Sequence, residues 1–180
     1  MKTFFKSRFS VVDYKLFDFI IIALFIALEI VFDRFLSINQ WNIKIGIGFL
    51  PTAIIAYRYG ATGAIITAAM SDFIGAIMFP FGPYYFPFTA AAAINGLILG
   101  LFLYRNRRFI NVFLSAFLSG TICTLLLNTL FICTLYGGNY IAVMTSRLPQ
   151  FAFTLVAEII LFRYLYVFDL AFGKNTCKTR

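Results

Sequence analysis

Residues 72–100 read DFIGAIMFPFGPYYFPFTAAAAINGLILG, and the fold is decided within them. An acidic residue, Asp72, sits inside an apolar run. The run gives way to the turn-forming aromatic stretch Pro80 to Phe88, and then to a helix rich in alanine and glycine. A carboxylate inside a membrane-length segment is costly and marks a functional site by default. Gly82 and the prolines at 80, 83 and 87 set the connection between the two helices. The plainer reading is that Asp72 caps or pairs locally and that the aromatics anchor at the lipid–water interface.

Working outward, the whole chain has the same character. Of 180 residues, 62% are hydrophobic and only 12% charged, with 24 Phe; the mean hydropathy is +0.90. A soluble domain with a polar surface is excluded. The composition predicts an all-α integral membrane protein. A spanning helix takes roughly 20 apolar residues, so this length supplies about six spans with short loops. The absence of His removes His-based catalysis and most transition-metal sites. Cys123, Cys133 and Cys177 have no metal-ligand spacing and read as inert thiols, so no metal or cofactor is expected.

The expected spans are 16–35, 44–57, 61–79, 88–104, 109–136 and 147–168, in one domain covering 1–180. The second is short, and Gly46, Gly48 and Pro51 predict distortion in its first half. Residues 1–15 carry Lys2, Lys6, Arg8 and Lys15 without a small-residue cleavage pattern, which argues against a cleaved signal peptide. With six spans, the basic N-terminus, the 57–61 and 104–109 loops and the basic tail 172–180 share one side. By the positive-inside rule that side, with both termini, is cytoplasmic. The net charge of +8 is then accounted for by topology and phospholipid contact, and nucleic-acid binding is not needed.

The opposite side displays loops 34–44, 80–88 and 136–147, with Arg34, Asn39, Trp41, Asn42, Lys44 and the Tyr84-Tyr85-Phe86 aromatics, leading to Arg147. Cations kept against the inside bias suggest an anionic ligand, and aromatics beside them suit a flat heterocycle. Asp72, Asn95, Asn128, Thr129, Arg147 and Gln150 fall at similar depth below that face. Together they read as a ligand pocket; Asp72 with Arg147, or Asp33 with Arg34, could equally neutralise one another as buried pairs. An intramembrane enzyme using Glu29, Asp72 or Glu158 as acid or base is the rival class, but H-E-x-x-H and G-x-S-x-G are absent. A six-span structural protein of the envelope is the third.

Asp33-Arg34-Phe-Leu-Ser-Ile38, Lys44-Ile-Gly-Ile-Gly-Phe-Leu-Pro51, Ser71-Asp72-Phe-Ile-Gly75, Phe79 to Phe88 and Ser146-Arg147-Leu-Pro-Gln150, in this order and spacing, resemble the substrate-binding S components of energy-coupling factor transporters. The folate-specific branch is the nearest match, and riboflavin, pantothenate and thiamine branches are the alternatives on the same scaffold. The resemblance implies a multi-pass protein of the bacterial cell membrane that captures folate or a related vitamin outside. It also implies delivery to the cytoplasm with a membrane T component and two ATPase subunits, with no catalytic residue of its own. It assigns substrate binding to Arg34, Lys44, Asp72, Tyr84, Tyr85, Phe86, Asn128, Arg147 and Gln150, with the cations on the glutamyl carboxylates, the aromatics on the pterin and benzoyl rings, and Asp72 or the amides on the pterin's hydrogen-bonding edge. Ala23 and Ala27, on one face of the first helix, would contact the T component.

The sequence agrees that energy comes from elsewhere: there is no G-x-x-x-x-G-K-[ST] phosphate loop. Ala64-x-x-x-Ala68 and Gly96-x-x-x-Gly100 share the small-residue spacing of Ala23 and Ala27, and they read as internal helix-packing faces.

Overall fold

The computed structural model describes residues 15–40, 43–80, 84–104 and 109–172, and the side chains of 38–45, 109 and 161–172 are not described. The basic N-terminus, the basic tail, Trp41, Asn42 and the three arginines at 105–108 lie outside these residues.

Helix α1, Leu16–Arg34, starts where Asp18 accepts the backbone N–H of Lys15 at 3.0 Å. The second oxygen of Asp18 accepts the Tyr59 hydroxyl at 2.9 Å, so one carboxylate caps α1 and ties it to the helix that carries Tyr59. After α1 the chain forms a small antiparallel hairpin, β1 (Ile38–Gln40) against β2 (Ile43–Ile45), in which Asn39 pairs with Lys44. A second span beginning at Lys44 is therefore incorrect. The backbone there is extended, and helix α2 begins at Phe49 and runs to Met78. Gly48 precedes it because the carboxylate of Asp33 occupies the space a Cβ would need, and Pro51 falls in the first turn, where its missing N–H costs nothing.

The distortion expected around Gly46 to Pro51 lies further on. Gly60, at φ 75 and ψ −159, breaks α2 into helical halves 49–59 and 61–78. A residue with a side chain is disfavoured at this positive φ, so the expected 57–61 loop is replaced by a single-glycine break.

Helix α3, Phe86–Leu103, packs most extensively on α2. A Cβ on Gly96 would lie 2.5 Å from the carbonyl oxygen of Ala64, and one on Gly100 would collide with the backbone of Ala61. The small residues of 61–68 and 96–100 thus bring two backbones together, as small-residue faces do between membrane helices. Ala53, Ala56, Ala64, Leu99 and Leu103 form the core cluster beside this seam.

The next helical run is continuous: α4 (Phe109–Ser119), a π-helical segment Gly120–Leu127, and α5 (Asn128–Tyr136). Gly137, at φ 71, closes it in the left-handed conformation. Helix α6, Tyr140–Phe172, follows after three residues, so the expected long 136–147 loop is mostly helix and Arg147 sits two turns inside it. The chain passes through Pro149 without leaving the helix.

Leu24 on α1, Ile77 on α2, Phe117 on α4 and Phe153 on α6 are all exposed. Phe49–Met78, Phe86–Leu103 and Ile110–Tyr136 are long and apolar enough to cross a bilayer. Buried side chains meanwhile include Glu29, Thr52, Thr67, Ser71, Arg147, Gln150 and Glu158. A greasy outside around polar interior groups is the arrangement of a multi-pass membrane protein.

Candidate ligand-binding cavity

Those interior polar groups, Thr67 excepted, line one space. A cavity of about 390 Å³ opens between α1, α2, α3, the π segment and α6, a size within the range of small-molecule sites.

From α1 come Glu29, Asp33 and Arg34. Glu29 accepts a hydrogen bond from the buried hydroxyl of Thr52 on α2. Arg34 donates from Nη1 to the carbonyl of Phe79 at 3.1 Å, and its guanidinium lies across Gly75, where a Cβ would be 3.0 Å from Nε. The glycine makes room for the arginine to cross the end of α2.

Asp72 on α2 accepts from Thr89 on α3 at 2.8 Å, and the Tyr84 hydroxyl is 3.1 Å from the same Thr89 oxygen. Since Thr89 uses its proton on Asp72, Tyr84 donates to Thr89. Beside this chain, Tyr85, Phe88 and Phe131 meet edge to face with centroids 5.8 to 6.1 Å apart. Tyr85 and Phe88 give the cavity an aromatic wall.

The π segment contributes Cys123 and Thr124, and α5 contributes Asn128. In the π geometry a backbone N–H bonds five residues back, and the N–H of Asn128 bonds the carbonyl of Cys123. That register stacks Asn128 over Cys123 on the cavity side. The Thr124 carbonyl takes a further bond, from Arg147 Nη1 at 3.2 Å.

Arg147, Gln150, Thr154 and Glu158 line the cavity from α6. Their spacing of three, four and four residues puts them on one helical face. The stripe spans roughly 16 Å at 1.5 Å per residue.

Of the nine residues expected to bind substrate, Arg34, Asp72, Tyr84, Tyr85, Asn128, Arg147 and Gln150 line this cavity. Phe86 does not: it opens α3 and is 67% exposed, while Phe88, half a turn on, faces inward. The Lys44 side chain lies outside the described residues; Gly46, two residues later, lines the cavity. Asp72 and Arg147 do not neutralise one another. Asp72 is held by Thr89, and Arg147 reaches a backbone carbonyl. Thr154 was missed and Glu158 was read only as the acid or base of a rival enzyme, although continuing the helical spacing inward from Arg147 and Gln150 reaches both.

Comparison with known proteins identifies the family. The family described as "ECF transporter, substrate-specific component" matches residues 17–166. A folate transporter, FolT of Clostridium novyi (strain NT), is 36% identical over 132 residues, which are 73% of this chain and 77% of that protein. FolT of Leuconostoc mesenteroides is 29% identical over 89 residues, about half of each chain. A crystal structure of FolT bound with folic acid superposes with a TM-score of 0.80 at 27% identity, covering 85% of this chain and 94% of that one. The family is a transporter component and not an enzyme. The chain belongs to the substrate-specific components of energy-coupling factor transporters.

Proposed function

We propose that this chain captures folate from outside the cell and passes it to the cytoplasm as the S component of a larger transporter. The observation that carries this reading is the likeness to the folic-acid-bound FolT structure over 85% of the chain. The cavity suits such a ligand. Arg34 and Arg147 supply cations for a dicarboxylate tail, and Tyr85 and Phe88 supply ring faces for flat aromatic groups. Asn128 and Gln150 add amide edges that can match ring nitrogens and oxygens, and Lys44 serves the tail from the hairpin. In this reading Phe86 packs toward the surrounding lipid or loop.

The same reading sets the topology at six spans with both termini cytoplasmic, counting the two halves of α2 as separate crossings. Uphill transport then needs a T component and two ATPases, since the chain carries no phosphate-binding loop. Ala23 and Ala27 on α1 are exposed, as a surface for a partner helix would be.

The test is calorimetric titration of the ligand-free, detergent-purified chain with folic acid, riboflavin and pantothenate in parallel. Tight binding of folic acid alone is expected. Tight binding of another vitamin instead would keep the scaffold and overturn the substrate.

A further inference from the structure

Most charged groups on the cavity wall are already engaged. Thr52 holds Glu29, Thr89 holds Asp72, the Phe79 carbonyl holds Arg34 and the Thr124 carbonyl holds Arg147. Among the acceptors not held in this way are two that the folate reading leaves unassigned. Glu158 on α6 is 5% exposed, lines the cavity and forms no hydrogen bond or ion pair among the described residues. Asn95 on α3 also lines the cavity, and its Oδ1 is buried with no hydrogen-bond partner.

A buried carboxyl and a buried amide oxygen left unsatisfied are both costly, more so at membrane depth. A fold that sends both into one cavity from two different helices is built to receive donors. We propose that Asn95 and Glu158 form an acceptor subsite at the inner end of the cavity for the paired N–H groups of an amino-substituted nitrogen heterocycle. The inference deepens the folate reading and rests on it, the donors then being the 2-amino group and the adjacent ring N–H of the pterin.

Position supports this assignment. Glu158 lies eleven residues beyond Arg147 on the same face of α6, about 16 Å further along the axis. A ligand whose anionic tail rests at Arg147 therefore presents its other, uncharged end to Glu158. The two carboxylate oxygens accept two parallel N–H bonds, and Asn95 Oδ1 accepts a third. Asp72 is less suited to that role, because Thr89 already occupies one of its oxygens. A site whose buried acceptors need donors rejects an analogue lacking them far more steeply than an apolar pocket rejects a missing methylene.

The experiment titrates the detergent-purified full chain with folic acid and with its analogue carrying methyl in place of the 2-amino group. Wild type, Glu158→Gln and Asn95→Ala are compared, with thermal stability recorded for each. Glu158→Gln keeps the side-chain shape, and the thermal record checks that its fold is retained. In wild type the methyl analogue binds at least about thirtyfold more weakly than folic acid. In Glu158→Gln folic acid loses about that factor, whereas the analogue changes by less than about threefold. Asn95→Ala shows the same selective loss to a smaller degree.

Unchanged folic acid binding in both variants would overturn the subsite, as would an equal loss of both ligands. Tight wild-type binding of folic acid with indifferent variants sinks the subsite alone. No folic acid binding by a folded wild type sinks the folate reading and the subsite with it.

Discussion

Thr89 Oγ1 lies 2.8 Å from Asp72 Oδ2 and donates to it, which joins α3 to α2 through the one carboxylate in the third predicted span. Tyr84 completes the chain from the loop side at 3.1 Å. Asp72 therefore ties the aromatic segment that opens α3 to α2, and under the proposed function its other oxygen serves a ligand.

Removing the lock is a direct test of the first role. Thr89→Val deletes the donor while keeping the shape, leaving a part-buried carboxylate short of a bond, at a cost of about 1.5–3 kcal/mol. Folic acid affinity should fall roughly tenfold or more, and Thr89→Ser should restore most of it. Titration of both variants checks this; equal binding by Thr89→Val and wild type would show that the lock is dispensable.

The α2–α3 seam gives a sharper stability prediction. At Gly100 a Cβ meets the backbone of Ala61, which cannot swing aside as a side-chain tip could. Gly100→Ala must separate the helices and should cost at least about 1–3 kcal/mol, the usual range for overpacking. Gly138→Ala is the control, since its nearest neighbour is a valine methyl at 3.3 Å. Thermal unfolding in detergent should show a clear drop for the first and little change for the second.

Much of this architecture was legible in the sequence because membrane depth makes polar residues expensive. Asp72, Arg147 and Gln150 stood out against apolar runs, and the cavity collects all three. The hairpin at 38–45 was illegible because its strands are only three residues long and their apolar residues read as the start of a span. The inward position of Phe88 in place of Phe86 depends on where α3 begins, and element boundaries are the weakest part of any reading of periodicity. Glu158 was visible as a charge in helical register with Arg147 and Gln150, but its meeting with Arg34 and Asn95 in one space depends on how α1, α3 and α6 pack.

Under the proposed function, the exposed alanines of α1 would serve transport and not binding, and a double substitution tests that separation. Ala23 and Ala27 do not line the cavity, and both are exposed on a helix whose other outward residues include Ile20, Leu24 and Leu28. Replacing both by Trp adds bulk where a close helix contact needs small residues. Folic acid binding by the purified double variant should stay within about threefold of wild type, because nothing in the cavity is touched. Uptake of labelled folate by cells expressing it with the remaining transporter subunits should be lost. Retained uptake would remove the partner role from this face.

Arg147 carries the last prediction, because its geometry assigns it two jobs that can be pulled apart. It is 6% exposed and bonds the Thr124 carbonyl in the π segment, so it braces the wall. As a lining cation it also faces the cavity, where the proposed function puts the ligand's anionic tail. Arg147→Ala removes both functions. Arg147→Lys keeps the charge but not the planar fork that grips a carboxylate through two parallel bonds. Truncating one member of a buried, hydrogen-bonded charge pair costs about 2–5 kcal/mol. Folic acid affinity should therefore drop by at least about thirtyfold in Arg147→Ala and by an intermediate factor in Arg147→Lys. Pteroic acid, which lacks the glutamyl tail, separates the roles. If Arg147 holds a tail carboxylate as well as bracing the wall, its replacement weakens folic acid far more than pteroic acid; if it only braces the π segment, both ligands weaken together. Arg58→Ala, which removes the same charge from an exposed position away from the cavity, should alter neither affinity.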